Sequence, residues 1–394
     1  MQHTYSLLRT YKYRIYPTTS QSVLLDRHFG ACRLIYNIAL ETRNTAYRSA
    51  GVKLNSYDLS KQLTELKKEH IWLNEINSQS LIEVLRNQDS AFTNFFNHRA
   101  QYPKFKSIKK ANNSAKFPQN HKLIEEKSLL RISKFQEGIK IVIDRVPKGE
   151  LRNVIVTKSK TGKYFASLLY NTGCAVPEIK NIKDGTSVGV DLGLKHFVIL
   201  SDGDKIHSHK FLKSSQARLA VLQRRLSRKT KGSNRRRGQI LKIARVHEHI
   251  VNQRKDFQHK LSTSIVNKYD TVCMENLSIS NMVKNHSLAG AISDAAWFQF
   301  TQMIKYKCDW YGKNFLQIGR FEPSSKMCTC GVINRELSLS DREWTCDSCG
   351  VTHDRDILAA NNIKFFALRN AGQGMPKEDV ELPTLVGAMK RQVS

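Results

Sequence analysis

An excess of thirty positive charges governs what this chain can fold into: 64 Lys and Arg stand against 34 Asp and Glu. Self-repulsion of that size opposes compaction unless a polyanion binds. The common polyanion is nucleic acid, with an anionic membrane surface second. A spanned membrane is excluded as partner, because runs such as Phe197–Leu200 fall far short of the ~20 apolar residues a spanning helix needs. The first seventeen residues hold no apolar stretch of signal-peptide length. Hydrophobic residues at 40% and charged residues at 25% make the chain globular rather than disordered. At 394 residues it is long enough for several domains.

Periodicity divides the chain into three regions. Tyr11–Tyr16 alternates apolar and basic positions, which predicts a strand with Lys12 and Arg14 on its basic face. Thr18 and Gln21 fit a capping box, and Leu25, Phe29, Cys32, Tyr36 and Ala39 follow at helical spacing. Further helical patterns run to about residue 100. From Tyr102 the chain turns basic and proline-broken (YPKFKSIKK, with Lys104 and Lys106), and short strands follow to about residue 180. From Ser187 strands and helices alternate: GVDLG, His196–Leu200, two helices split at Gly232–Asn234, a strand in YDTVCMENL, a helix over Ala295–Tyr311 and a last helix from Asp354 to Asn370. The tail has no periodicity and is expected to be flexible.

Acids stand at the ends of three elements of the third region. Asp191 shares a strand face with Gly189 and Gly193, and a carboxylate between two glycines leaves room for a metal ion and a phosphate ester. Glu275 closes an apolar strand. Asp354 and Asp356 open the last helix, Asp354 as a candidate N-cap. Helical spacing puts either acid on a plausible inner face, so spacing leaves that choice open. Two strands and a helix that each present one carboxylate to a shared point make a hard oxygen site suited to Mg²⁺ or Mn²⁺, and a pair of such ions supports phosphodiester hydrolysis.

Eight cysteines are too sparse for a disulfide framework, and four of them cluster. Cys328-Thr-Cys330 and Cys346-Asp-Ser-Cys349 are separated by fifteen residues, and Gly331 and Gly350 close the pairs. The pattern reads as a zinc ribbon holding Zn²⁺, with its first pair one residue short and His353 as a conceivable replacement ligand. Residues 213–255 hold fourteen Lys or Arg and one Glu. Their clusters, Arg224, Arg225, Arg228 and Arg235, Arg236, Arg237, predict a surface that tracks phosphates.

GVDLGLKHF, MENLS, the cysteine ribbon and THDRDILAANNI, in that order, resemble the TnpB (OrfB) family of transposon-encoded proteins, as do YKYRIYPTTSQ and YPKFKS further upstream. The resemblance implies an α/β multidomain protein related to type V CRISPR effectors. Its parts would be a ribonuclease-H-like (RuvC) nuclease over 186–370 with a zinc ribbon inserted at 322–352, a wedge-like β-barrel from 1–15 and 116–185, a helical recognition lobe over 16–115, and a tail over 371–394. It places the catalytic acids on Asp191, Glu275 and Asp356. Leu358 stands where relatives often carry Asn. The implied activity is RNA-guided, metal-dependent DNA cleavage in a prokaryotic cytoplasm, at the nucleoid. The implied partners are a guide RNA from the transposon end and double-stranded target DNA bearing a short adjacent motif. A nuclease-inactive, guide-dependent DNA-binding repressor and a transposase accessory protein are the alternatives. The first should have lost an acid, and this chain keeps all three.

Overall fold

The computed structural model describes residues 6–108, 113–338 and 341–372; the expected tail lies outside them from residue 373 onward. The chain divides into two compact units, residues 1–175 and 176–394.

The first unit opens with β1 (Ser6–Tyr16), then α1 (Thr19–Ala50), α2 (Ser56–Glu69) and α3 (Ser78–Phe96), and continues with β2 (Asn113–Phe117), β3 (Lys122–Ile124), β4 (Leu129–Ile132), β5 (Phe135–Val142), β6 (Glu150–Lys158) and β7 (Tyr164–Ala175). Along β1 the alternation holds: Tyr13 and Ile15 are buried, while Lys12 and Tyr16 face solvent. The Thr18–Gln21 capping box is formed, and the predicted stripe from Leu25 to Ala39 is the buried face of α1. These seven strands make one antiparallel sheet in the order β2-β6-β7-β1-β5-β4-β3. The expected β-barrel is not closed: among the described residues no ladder joins the edges β2 and β3. Closure needs two edges that can pair along their length, and β3 offers only three residues. The sheet is instead sealed by helices. Phe117, Leu130 and Val156 share one core with Leu25 and Phe29 of α1 and Leu81 of α3.

The second unit contains β8 (Ser187–Asp191), β9 (His196–Leu200), β10 (Lys205–His207), α4 (Phe211–Ser227), α5 (Asn234–Lys268), β11 (Thr271–Glu275), α6 (Ile279–Met282), α7 (His286–Ala295), α8 (Trp297–Tyr311), β12 (Asn314–Ile318), β13 (Glu343–Thr345), β14 (Thr352–Asp354) and α9 (Arg355–Asn370). The helix expected over Ala295–Tyr311 starts at Trp297, because Ala296 takes a left-handed φ of 51° and separates α7 from α8. The five main strands lie in the order β10-β9-β8-β11-β12. β8, β9 and β10 run antiparallel, whereas β11 runs parallel to both β8 and β12. One face packs Val188, Val190, Val272 and Met274 against α5 and α8; the opposite face packs Cys273 and Ile318 against Ile363, Phe366 and Ala367 of α9. The result is a three-layer α/β/α unit whose parallel strand ends point to one edge. In such sheets ligands gather at the carboxyl ends of the strands.

Candidate metal centre and basic hairpin

Asp191 and Glu275 are the last residues of neighbouring parallel strands, one register step beyond the Val190–Met274 pair. Residues in register on parallel strands share a face, so both carboxylates project to the side covered by α9. That helix supplies the third acid. Ala360 meets Gly189 of the sheet, and Ile363, Phe366 and Ala367 pack on the same face; Asp356 lies one turn before Ala360. Asp354 is occupied otherwise. Its Oδ1 accepts the backbone N–H groups of Asp356 and Ile357, both at 3.0 Å, and its Oδ2 binds Lys205. Burial opposes ionisation of Asp354, but Lys205 and the two N–H groups outweigh it and hold the carboxyl below its ordinary range. It is the helix cap, the structural role expected of it, and Asp356 is left without that role.

The three acids crowd one another. Burial of its carboxyl first, then the charges of Glu275 and Asp356, push Asp191 up to about 7. The other two acids hold protein partners: Glu275 Oε1 accepts from the Ser324 hydroxyl, and Asp356 Oδ1 from Arg342 at 3.3 Å. Neither partner was predicted. They lie 49 and 14 residues away in sequence, in a loop and a short strand approach without periodicity. A set of hard oxygens carrying excess negative charge fits a divalent cation. The acids are not drawn into a closed shell, however. Among the described residues the group whose ligand atoms all lie within 4.8 Å of one another is a cysteine quartet.

Gly189 does not open space for a ligand as expected. A Cβ at Gly189 would sit 1.8 Å from the Ala360 carbonyl oxygen, so the missing side chain admits the backbone of α9 rather than a ligand. Gly193 likewise gives way to the His196 carbonyl, 2.8 Å from a built Cβ. Gly189 therefore serves the acids indirectly, by letting α9 lie close enough to bring Asp356 to the sheet, whereas Gly193 makes room only for the turn into β9.

Cys328, Cys330, Cys346 and Cys349 form that quartet, with Cys328–Cys349 and Cys330–Cys346 sulfurs 3.5 and 3.7 Å apart. A tetrahedral Zn²⁺ with ~2.3 Å bonds has sulfur–sulfur edges of roughly 3.8 Å, so the residues fit a closed zinc site. The shortened first pair still turns as the second does. Gly331 and Gly350 both take left-handed φ values, 88° and 70°, and the N–H of Cys328 reaches the Val332 carbonyl as that of Cys346 reaches Val351. His353 stands beside the quartet, its Nε2 3.0 Å from Cys328 Sγ and its ring against Trp344. Leu358 packs with Cys328, Trp344 and Cys346, which explains an apolar residue there: it joins the first turn of α9 to the ribbon. Asn362 fastens the other side, donating to the carbonyls of Ser324 and Met327 at 2.7 Å.

The basic run folds into a helical hairpin of α4 and α5 with Ser233 as N-cap of α5. Arg224, Arg225, Arg228, Arg235 and Arg237 are exposed around its tip. Arg236 is not: it turns inward and donates to the carbonyls of Leu226 and Lys229 at 2.8 and 3.1 Å. Within the first unit, Lys12 lies over the Phe165 ring, Arg14 donates to the Tyr164 carbonyl and stacks on Phe165, Lys104 is exposed, and the Lys106 ammonium sits 3.8 Å from the Tyr36 ring centre.

Comparison with known proteins decides the family. A model described as "Probable transposase" matches residues 173–286, one described as "Cas12f1-like, TNB domain" matches 297–363, and one described as "Helix-turn-helix domain" matches 3–51. A Streptomyces pristinaespiralis protein named "Putative RNA-guided DNA endonuclease" is 43% identical over 90% of this chain and 88% of its own length. The chain belongs to the OrfB (TnpB) family. InsQ of Escherichia coli K12, with the same descriptive name, is 30% identical over 90% of this OrfB chain and 91% of its own. The fold is Cas12f1-like: the protein chain in a cryo-EM structure titled as a Cas12f1–sgRNA–target DNA complex superposes with a TM-score of 0.56 at 13% identity, covering 91% of this chain and 99% of that one. The segment matched as helix-turn-helix holds β1 and the single long helix α1. Among the described residues no helix is long and apolar enough to cross a membrane.

Proposed function

We propose that this chain is an RNA-guided, metal-dependent DNA endonuclease encoded by a transposable element. The observation that carries the reading is the convergence of Asp191, Glu275 and Asp356 at one sheet edge, with Asp191 pushed up to about 7 by burial and by the other two acids. A protein tolerates such crowding where it serves a site. The sheet order, three antiparallel strands followed by two parallel ones, supports a ribonuclease-H-like (RuvC) core. Mg²⁺ (or Mn²⁺) held by these three residues would supply Lewis acidity and an activated water for phosphodiester hydrolysis. Asp191 and Glu275 come from strand ends fixed by the sheet, and Asp356 from a helix fixed by its Asp354 cap, by Gly189 and by the ribbon. Zn²⁺ in the cysteine quartet is structural, with no open position.

The hairpin arginines and the +30 balance hold a nucleic-acid backbone without reading sequence. Sequence is read by a guide RNA from the transposon end, on double-stranded target DNA with a short adjacent motif. The open sheet serves as the wedge-like element and α1–α3 as the recognition lobe. The test is to sequence RNA that copurifies with the protein and to assay the complex with Mg²⁺ on DNA matching that RNA. One discrete RNA species and cleavage at the matching site support the reading. Random cellular RNA, with no cleavage of matching DNA, overturns it.

A further inference from the structure

After α3 the first unit displays aromatic rings that its core does not use. Phe96 is 67% exposed, Tyr102 43% and Phe105 56%, and none belongs to the buried cluster of that unit. Apolar rings left in water on a built surface mark a contact site rather than a packing remnant. The rings of Phe96 and Tyr102 are held by other rings. Tyr102 meets Phe92 and Phe95 edge-on, with centroids 5.5 and 5.2 Å apart, and Phe95 meets Phe96 at 5.3 Å. The turn behind Phe96 is closed by the N–H groups of Arg99 and Ala100 on the Asn94 carbonyl, 2.8 and 3.1 Å. Asn37 then clamps the strand-like segment from both sides: its Oδ1 accepts the Lys106 N–H at 2.8 Å and its Nδ2 donates to the Lys106 carbonyl at 2.9 Å. Pro103 is buried between Tyr102 and Lys104, which are exposed. A surface fixed in this way loses little entropy on binding.

The chemistry around the rings selects the partner. Residues 96–108 carry three Lys or Arg, namely Arg99, Lys104 and Lys106, and no Asp or Glu. An apolar protein surface gains nothing from that charge, whereas a nucleic-acid strand presents π-faces and phosphates together. Bases inside a duplex are already stacked, so only unpaired or splayed bases offer a free face.

We propose that Phe96, Tyr102 and Phe105 form a stacking platform for unpaired nucleobases, with Arg99 and Lys104 on the flanking phosphates. The inference rests on the nucleic-acid reading of the protein and adds a site that neither the acids nor the hairpin provides. RNA and DNA share the required chemistry, and the test separates them. The full chain is titrated with 20-nucleotide unstructured RNA and DNA strands carrying a single 5-iodouracil, at several salt concentrations, and irradiated for peptide mapping. Cross-links should fall within residues 96–105. Phe96→Ala combined with Phe105→Ala should weaken binding on the order of tenfold while the slope of log K against log salt stays unchanged, since stacking releases no counterions. The same positions changed to Trp should keep the affinity. The strand that loses more identifies the source. Binding within twofold of the parent and cross-links only elsewhere overturn the platform, as does loss of self-association in sedimentation without loss of strand binding. A parallel Arg235→Ala, Arg237→Ala variant keeps the two readings apart: a flattened salt slope there, with no effect of the ring substitutions, sinks the platform alone.

Discussion

The sheet edge of the second unit and the tip of its α4–α5 hairpin are both charged, and they are built by opposite rules. At the edge three half-buried carboxylates stand at the ends of three different elements. Burial of its carboxyl, and after it the charges of Glu275 and Asp356, pushes Asp191 up to about 7. At the tip five arginines are spread over exposed turns of two helices, where water and salt screen them. Buried like charges cost free energy and persist where geometry is needed. Exposed like charges cost little and create a field. On the function proposed above, one region serves chemistry at a point and the other attraction along a backbone. Substitutions should therefore separate rate from affinity.

The largest effect is expected at the acids. Asp191→Ala should lower DNA cleavage in Mg²⁺ on the order of a thousandfold, the several kcal/mol that a metal-held site contributes, with strand binding within about twofold. Glu275→Ala should behave alike. Asp356→Ala should be as inactive, while Asp354→Ala should remain active and lose about 1 kcal/mol of stability as a removed cap. Cleavage by Asp356→Ala together with a dead Asp354→Ala would reverse the assignment. The same division should appear when the ribbon is opened. Elemental analysis should give one equivalent of zinc for the parent and none for Cys346→Ala, and that variant should lose cleavage, because Leu358 and Asn362 couple the ribbon to α9. The salt dependence of strand binding should persist, because the hairpin's own core of Leu219, Val246 and Ile250 contains no ribbon residue.

How much of this edge was legible in the sequence follows from which distances set it. Each acid ends a segment with a clear apolar period, so Asp191, Glu275 and the Asp354–Asp356 pair stand out individually. The Asp354 cap and the Thr18–Gln21 box depend on neighbours within three residues, and they formed as expected. The role of Gly189 did not emerge, because its contact is the Ala360 carbonyl, far along the chain. Ser324 and Arg342 were missed for the same reason, and the inward turn of Arg236 because a charge run does not say which member faces home. The barrel expectation came from a family likeness, and no pattern in the strands reports whether two edges meet.

A smaller effect sharpens the electrostatic half of the comparison. A carboxyl raised to about 7 when folded, against an ordinary value near 4, favours folding while protonated. That contribution is whole below about pH 4 and is lost as pH rises through about 7. In buffer without added Mg²⁺, Asp191→Asn should therefore melt above the parent at pH 8, by an amount of a few kcal/mol at most, and the two should converge toward pH 4. A constant difference across that window would mean that neither burial nor the other two acids raises Asp191. Adding Mg²⁺ should reverse the order at pH 8, since only the parent keeps the full ligand set.

The smallest expected effects lie at the hairpin, and they divide within three consecutive arginines. Arg235 and Arg237 are exposed, whereas Arg236 donates to the Leu226 and Lys229 carbonyls where α4 ends. Each exposed arginine that contacts a phosphate contributes roughly 0.7–0.9 to the slope of log K against log salt. Arg235→Ala with Arg237→Ala should flatten that slope by up to about twice this amount and leave the melting temperature unchanged. Arg236→Ala should do the reverse. Two carbonyls at the end of α4 lose a charged donor, at a cost of about 1 kcal/mol given the partial exposure, and the slope should hold. Arg236→Lys tests the geometry further, because a single ammonium reaches two carbonyls less well than a planar guanidinium does. It should recover only part of the stability. If instead Arg236→Ala flattens the slope as much as its neighbours do, the inward bonds give way on binding and the run acts as one phosphate-tracking surface.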